Sequence, residues 1–134
     1  MAIAIIKKDW GSTFSVFGVS SSKNALTSTT PNWSTSPINL FSSGWDGAAV
    51  TARVVMSGTR ADVTLEVAAS FTTDSGNRDT TPLFSQQLSV ATSTNQITFI
   101  VRDVPYAWIN LEAGATGDAH VGWVHYRPFR YRSS

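Results

Sequence analysis

Between residues 48 and 71 the chain alternates apolar and polar side chains with a period of two. Val50, Ala52, Val54 and Met56 alternate with Thr51, Arg53, Val55 and Ser57. After a break at Gly58-Thr59-Arg60-Ala61, Val63, Leu65, Val67, Ala69 and Phe71 alternate with Thr64, Glu66, Ala68 and Ser70. Such a period sends successive side chains to opposite faces of a strand. The two runs therefore predict two strands, each with one apolar face. The glycine-containing break reads as the turn of an antiparallel hairpin. No window sustains a helical period, so the expected class is all-β.

The remaining segments read the same way. Residues 2–8 form either a strand or an extended arm that pairs with another subunit. Residues 13–19 carry apolar groups on both faces and predict a strand buried on both sides. Residues 20–37 form a long polar loop, of the kind that is usually functional. Ile38 to Phe41 begins a short strand, and residues 72–82 make a second polar loop with Gly76-Asn77 at its tip. Phe84–Val90, Gln96–Arg102, Tyr106–Ala113 and Ala119–Tyr126 complete the set. Asp103-Val104-Pro105 separates two of them, and Pro128 limits the last, because proline cannot donate to a ladder. Eight or nine short strands with turn signals between them predict a single-domain antiparallel β-sandwich, jelly-roll-like, with an open barrel second. The expected organisation is an N-terminal arm or edge strand at 1–8, a sandwich at 9–126 and a basic, aromatic tail at 127–134.

A chain of 134 residues is long enough for one domain with its own core. Charged residues make up only 14 % of it, while serine and threonine number 34. So sparse a charge fits a chain that covers its surface by assembling with others. The net charge of +1 gives no global attraction to nucleic acid or anionic membranes. There is no cysteine, which excludes disulfides, thiolate metal sites and thiol catalysis. The opening Met-Ala-Ile-Ala-Ile-Ile-Lys-Lys has its lysines after a short apolar stretch, the reverse of a secretory signal. No run approaches the length of a membrane-spanning helix. The chain is expected to be made in a cytoplasm.

Chemistry-bearing constellations are sparse. His120 and His125 are an odd number of residues apart on one predicted strand, so they face opposite ways and share no metal. Glu66 and Glu112 are the only glutamates, and the seven aspartates fall mainly in turns. A carboxylate pair for glycoside hydrolysis would have to be assembled by the fold. Asp74-Ser75-Gly76-Asn77-Arg78-Asp79 is rich in oxygen but lacks the spacing of an EF-hand loop. No phosphate-binding glycine motif and no nucleophile elbow is present. No catalytic residue, cofactor or metal is expected.

Aromatic residues are the more informative set. Trp10, Trp33 and Trp45 fall in predicted turns or loops, and Trp108 and Trp123 fall on strands. Trp108 shares a predicted face with Tyr106, Asn110 and Glu112, a face open to solvent or to a partner. The tail Tyr126-Arg127-Pro128-Phe129-Arg130-Tyr131-Arg132 alternates cations and aromatic rings. Such a tail can bind nucleic acid. Three arginines on a nearly neutral chain point instead to an acidic neighbouring subunit, on which arginine forks and stacks.

The run from Ile97 to Leu111, Ile-Thr-Phe-Ile-Val-Arg-Asp-Val-Pro-Tyr-Ala-Trp-Ile-Asn-Leu, precedes a glycine-containing turn and a final strand. It resembles small all-β structural proteins of tailed bacteriophages, as does the Val-Thr-Leu-Glu-Val strand at 63–67. The likeness is one of pattern and composition over residues 48–126. It implies a non-enzymatic virion component, first of all a capsid decoration or cement protein that binds and stabilises a phage head, or else a head or tail accessory protein. The implied partners are the major capsid protein, other virion subunits and further copies of the chain, with a trimer as the first guess. Ile3, Ile5, Lys7, Trp33, Trp45, Tyr106, Trp108, Arg127, Arg130 and Arg132 are the candidate contact residues. A reading from a different class makes the chain a carbohydrate-binding or lectin-like module that uses Trp33, Trp45 or Trp108.

Overall fold

A computed structural model describes residues 6–17, 24–26, 33–34, 36–42, 44–56, 62–89, 91–114 and 120–133. Ten strands lie among them. They are β1 (Ile6–Trp10), β2 (Phe14–Phe17), β3 (Asn24–Leu26), β4 (Ile38–Asn39), β5 (Gly47–Val55), β6 (Val63–Ser70), β7 (Phe84–Leu88), β8 (Thr94–Arg102), β9 (Tyr106–Ala113) and β10 (His120–Ser133). A single turn of 3-10 helix occupies Ser75–Asn77.

The strands form two antiparallel sheets. A six-stranded sheet runs β1-β10-β5-β8, with β2 and β3 also paired to β10, and a four-stranded sheet runs β4-β9-β6-β7. From β4 onward each strand changes sheet except at β6–β7. This is the expected sandwich, with the strand exchange of a jelly roll.

The alternation that opened the sequence reading marks the core. Ala48, Val50, Ala52 and Val54 of β5 face Val63, Leu65 and Val67 of β6, and all are fully buried. Ala107, Ile109, Leu111 and Ala113 of β9 fill the space between them, and Val124 of β10 joins the same cluster. Phe71, assigned to the same stripe, lies past the end of β6 and is 85 % exposed.

The structure corrects these expectations in six places. The 48–71 pair is not a hairpin: β5 pairs with β10 and β8, and β6 with β9 and β7. The two strands lie across the sandwich from one another. Alternation specifies which face is buried, and burial is satisfied equally by a neighbour in the same sheet or by one in the opposite sheet.

The tail is not a tail. β10 continues to Ser133, paired on one side with β1 and on the other, up to Phe129, with β5. Pro128 is accommodated because its carbonyl accepts from Gly11 N–H at 2.8 Å, so its missing donor points to the same side. That side is the gap between β1 and β2, where no ladder partner needs it.

Lys7 and Lys8 do not belong to an arm that pairs only with another subunit. They bond in register to Arg132 and Tyr131 of the same chain. Trp10, expected in a turn, ends β1. Ile3 and Ile5 lie outside the described residues.

Burial on both faces of residues 13–19 does not hold at Phe14. It sits on a strand at the sheet edge, stacks on Tyr126 with centroids 5.3 Å apart and is 47 % exposed. Part of the predicted 20–37 loop, Asn24–Leu26, is strand β3 on the edge of β10.

Candidate functional site

The register places two groups of side chains on the outer faces of the sandwich. Since Val124 faces the core, the odd-numbered residues of β10 face outward. Their partners on β1, β5 and β8 face outward with them. The outer face of the six-stranded sheet thus carries Lys8, Arg53, Arg102 and Arg127 together with Trp10, Trp123, Phe129 and Tyr131. No outward position of β1, β5, β8 or β10 is an aspartate or glutamate. Two carboxylates lie at its margin: Asp103, 3.7 Å from Arg102 just past the end of β8, and Asp46, which accepts from Tyr131 N–H at 2.6 Å.

This face has a packed aromatic centre. Phe129 is fully buried although it points away from the core. It lies over Gly47, where an added Cβ would come within 2.6 Å of the Phe129 ring and 2.7 Å of the Val101 carbonyl oxygen. Trp10 and Tyr131 meet Phe129 edge-on, each with centroids 5.3 Å away. The Lys8 ammonium lies 4.8 Å from the Phe129 centroid, and the Arg127 guanidinium 5.6 Å from that of Trp10. Arg127 also donates to the Gly11 carbonyl at 2.8 Å, which closes the gap between β1 and β2.

Arg102 donates to the Tyr131 hydroxyl at 3.5 Å. That contact, and Asp103 after it, pushes the guanidinium above its ordinary value. Trp10 and Tyr131 remain 42 % and 39 % exposed, so two rings and their cations are open to a partner. Farther along, Arg53 lies 4.9 Å from the Trp123 centroid.

The second group lies on the outer face of the four-stranded sheet. The mixed face of β9 is not open. Tyr106, Trp108 and Asn110 are nearly fully buried. The loop at 71–83 and the segment at Trp33-Ser34 lie against it. Trp33 bridges to Asn110, and Ser34 N–H donates to the Ile109 carbonyl at 2.7 Å. Arg78 stacks between rings, 4.3 Å from the Trp33 centroid and 5.5 Å from that of Trp108. Both glutamates meet here: the Asn110 amide donates to Glu66 at 3.4 Å and to Glu112 at 3.5 Å. A cleft of about 370 Å³ opens beside them, lined by Trp33, Glu66, Arg78, Asp79 and neighbouring loop residues.

The expected contact residues thus separate. Arg127 stands on the outer face of the six-stranded sheet. Lys7, Arg130 and Arg132 point to the other side of the β1–β10 ladder, where Arg132 forms an ion pair with Asp9. Trp45 is a packing residue, with the Arg130 guanidinium 4.1 Å from its centroid and Gly11 pressed against its rim. Tyr106 and Trp108 are interior, and Trp33 lines the cleft. Lys8, Trp10, Arg102, Phe129 and Tyr131 were missed as one cluster, as was Arg78. The alternation of residues 121–131 signals the outward face of β10, but its neighbours on β1 and β8 follow only from register. Among the described residues no three histidine or acidic side chains are grouped to hold a metal ion, and no helix is long and apolar enough to cross a membrane.

No protein-family model matches the chain, and no curated protein matches it. Among solved structures, one reported under "Bacillus endospore appendages form a novel family of disulfide-linked pili" is similar. It has a TM-score of 0.47 and 11 % identity over 96 % of this chain and 91 % of that one. The Yersinia pseudotuberculosis-derived mitogen is similar with a TM-score of 0.48 and 11 % identity, over 92 % of this chain and 86 % of that one.

Proposed function

We propose that the chain is a non-enzymatic structural protein of a tailed-phage virion, a decoration protein that docks on the head and stabilises it. The observation that carries the docking is the outer face of the six-stranded sheet. Four cations stand there without an outward carboxylate on the same strands. Partly exposed Trp10 and Tyr131 flank them. Tryptophan, tyrosine and arginine are the residues most enriched among interface hot spots. A positive face of this kind selects an acidic patch on its partner. The partner in this reading is the major capsid protein. The virion setting itself rests on the resemblance in sequence pattern.

The rigidity of the face favours docking. Its rings are held by Phe129 and by the β1–β10 ladder, so little side-chain freedom is lost on binding. Assembly into a closed homo-oligomer, a trimer in the simplest case, would multiply weak contacts with a symmetric shell.

The test is co-sedimentation of the purified chain with preassembled heads that lack it. Saturable binding that weakens with salt supports the reading. Absence of binding at low salt overturns it.

A further inference from the structure

We propose that the cleft between Trp33 and the loop at 71–83 is a binding site for a neutral pyranose sugar. It lies on the sheet opposite the docking face and is independent of it. Its volume of about 370 Å³ falls in the range of small-molecule sites. The lining combines one aromatic wall with convergent polar groups. Trp33 remains partly exposed although Arg78 stacks on it, and Glu66, Asp79, Ser75 and Thr80 surround the opening. A pyranose ring has an apolar face that rests on an indole and a rim of hydroxyls that needs donors and acceptors. Carboxylates accept from those hydroxyls, and the edge of the Arg78 guanidinium donates to them.

Charge selects among sugars. Glu66 and Asp79 carry −2 against +1 on Arg78, a net −1 over these lining groups. That disfavours sialic and uronic acids and admits neutral rings.

The site is also built in advance. Its loop is tied down along its length. Asp79 N–H donates to the Ala69 carbonyl at 2.9 Å, and Leu83 N–H to that of Val67 at 2.8 Å. Within the loop, Gly76 N–H donates to the Asp74 carboxylate at 2.8 Å and the Asn77 amide to Thr72 at 3.0 Å. Below it, Asn110 fixes Glu66 from the buried side. An ordered polar loop over an ordered carboxylate loses little entropy when a ligand enters.

The experiment is titration of the full chain with maltotriose, cellotriose and chitotriose, read by tryptophan fluorescence and calorimetry, with sialyllactose as the anionic control. Saturable quenching by at least one neutral sugar is expected, with none by sialyllactose. Glu66→Gln keeps the shape but replaces one acceptor oxygen with an amide donor, and it should weaken binding about tenfold. Trp33→Ala should abolish binding, with circular dichroism reporting that the fold is kept. Trp10→Ala/Arg127→Ala, which breaks the docking face, should bind sugar as the natural chain does. Three results overturn the proposal: no saturable response to any neutral trisaccharide up to about 10 mM, preferential binding of sialyllactose, or unchanged binding by Glu66→Gln.

Discussion

Trp108 and Ser70 meet on the outer face of the four-stranded sheet, the indole N–H donating to the hydroxyl oxygen at 2.9 Å. The same hydroxyl donates to the Thr72 carbonyl at 2.7 Å. Two hydrogen bonds in series thus tie the most buried tryptophan to the start of the loop that walls the cleft. Ser70→Ala leaves the indole N–H without its acceptor. Loss of about 1–3 kcal/mol is expected, read as a lower urea midpoint with an unchanged slope. Loop protection at Asp79 and Leu83 in hydrogen exchange should fall with it.

Gly47 and Phe129 are a matched pair. Gly47→Ala drives a methyl group into the ring and into the Val101 carbonyl. It should cost about 1–3 kcal/mol. Phe129→Ala should cost about 3–5 kcal/mol by emptying a fully buried site. The double variant should lose less than the sum, because the smaller side chain removes one of the two clashes. Additive losses in chemical denaturation would show that the two positions do not share the strain.

Asp103 holds φ at 63° between β8 and β9, a left-handed conformation in a residue with a Cβ. Glycine adopts it without that cost. Asp103→Gly also removes the contact with Arg102, which is exposed and therefore worth little. A gain of about 0.5–1 kcal/mol is expected, and Asp103→Val should lose more than that. A melting temperature lowered by glycine would contradict the argument.

Burial against the core raises the Tyr126 phenol above its ordinary value of 10.0. The folded state then keeps its proton where the unfolded chain has already released it. The contribution of Tyr126 to stability is constant below pH 10.0 and falls as pH rises from there through the raised value. Denaturation midpoints across the alkaline range should show that fall. Tyr126→Phe should flatten it.

On the docking face, Trp10→Ala/Arg127→Ala should reduce binding to preassembled heads by at least about tenfold. Arg132→Ala, on the far side of the same ladder, should leave it nearly unchanged. Equal losses from both variants in a sedimentation assay would place the contact elsewhere.

Much of the fold was legible because burial writes itself into a period of two. The inward stripes of β5 and β6 stand in the alternation of residues 50–71, which fails only at Phe71, past the end of β6. Partnership was not, because Val54 would be buried as well by a hairpin neighbour as by a strand across the core. Pro128 misled for a similar reason: whether a missing N–H matters depends on which side of the strand has a partner. The sites were less legible still. Trp108 and Tyr106 alternate as surface residues should, yet Arg78 of the 71–83 loop lies over the first ring and Phe41 lies 6.2 Å from the second. Lys8, Arg102 and Arg127 are far apart in sequence and become neighbours only through the register of β10.

β10 is the strand that β1, β2, β3 and β5 all need. While His120–Ser133 is still inside the ribosome, those segments have no common seam to join them. Closure of this sheet therefore waits for β10, whose pairings with β1, β2 and β3 join residues far apart in sequence. Such long-range topologies fold slowly. A chain cut at the start of β10 would leave not a shortened sandwich but a set of open edges prone to clump.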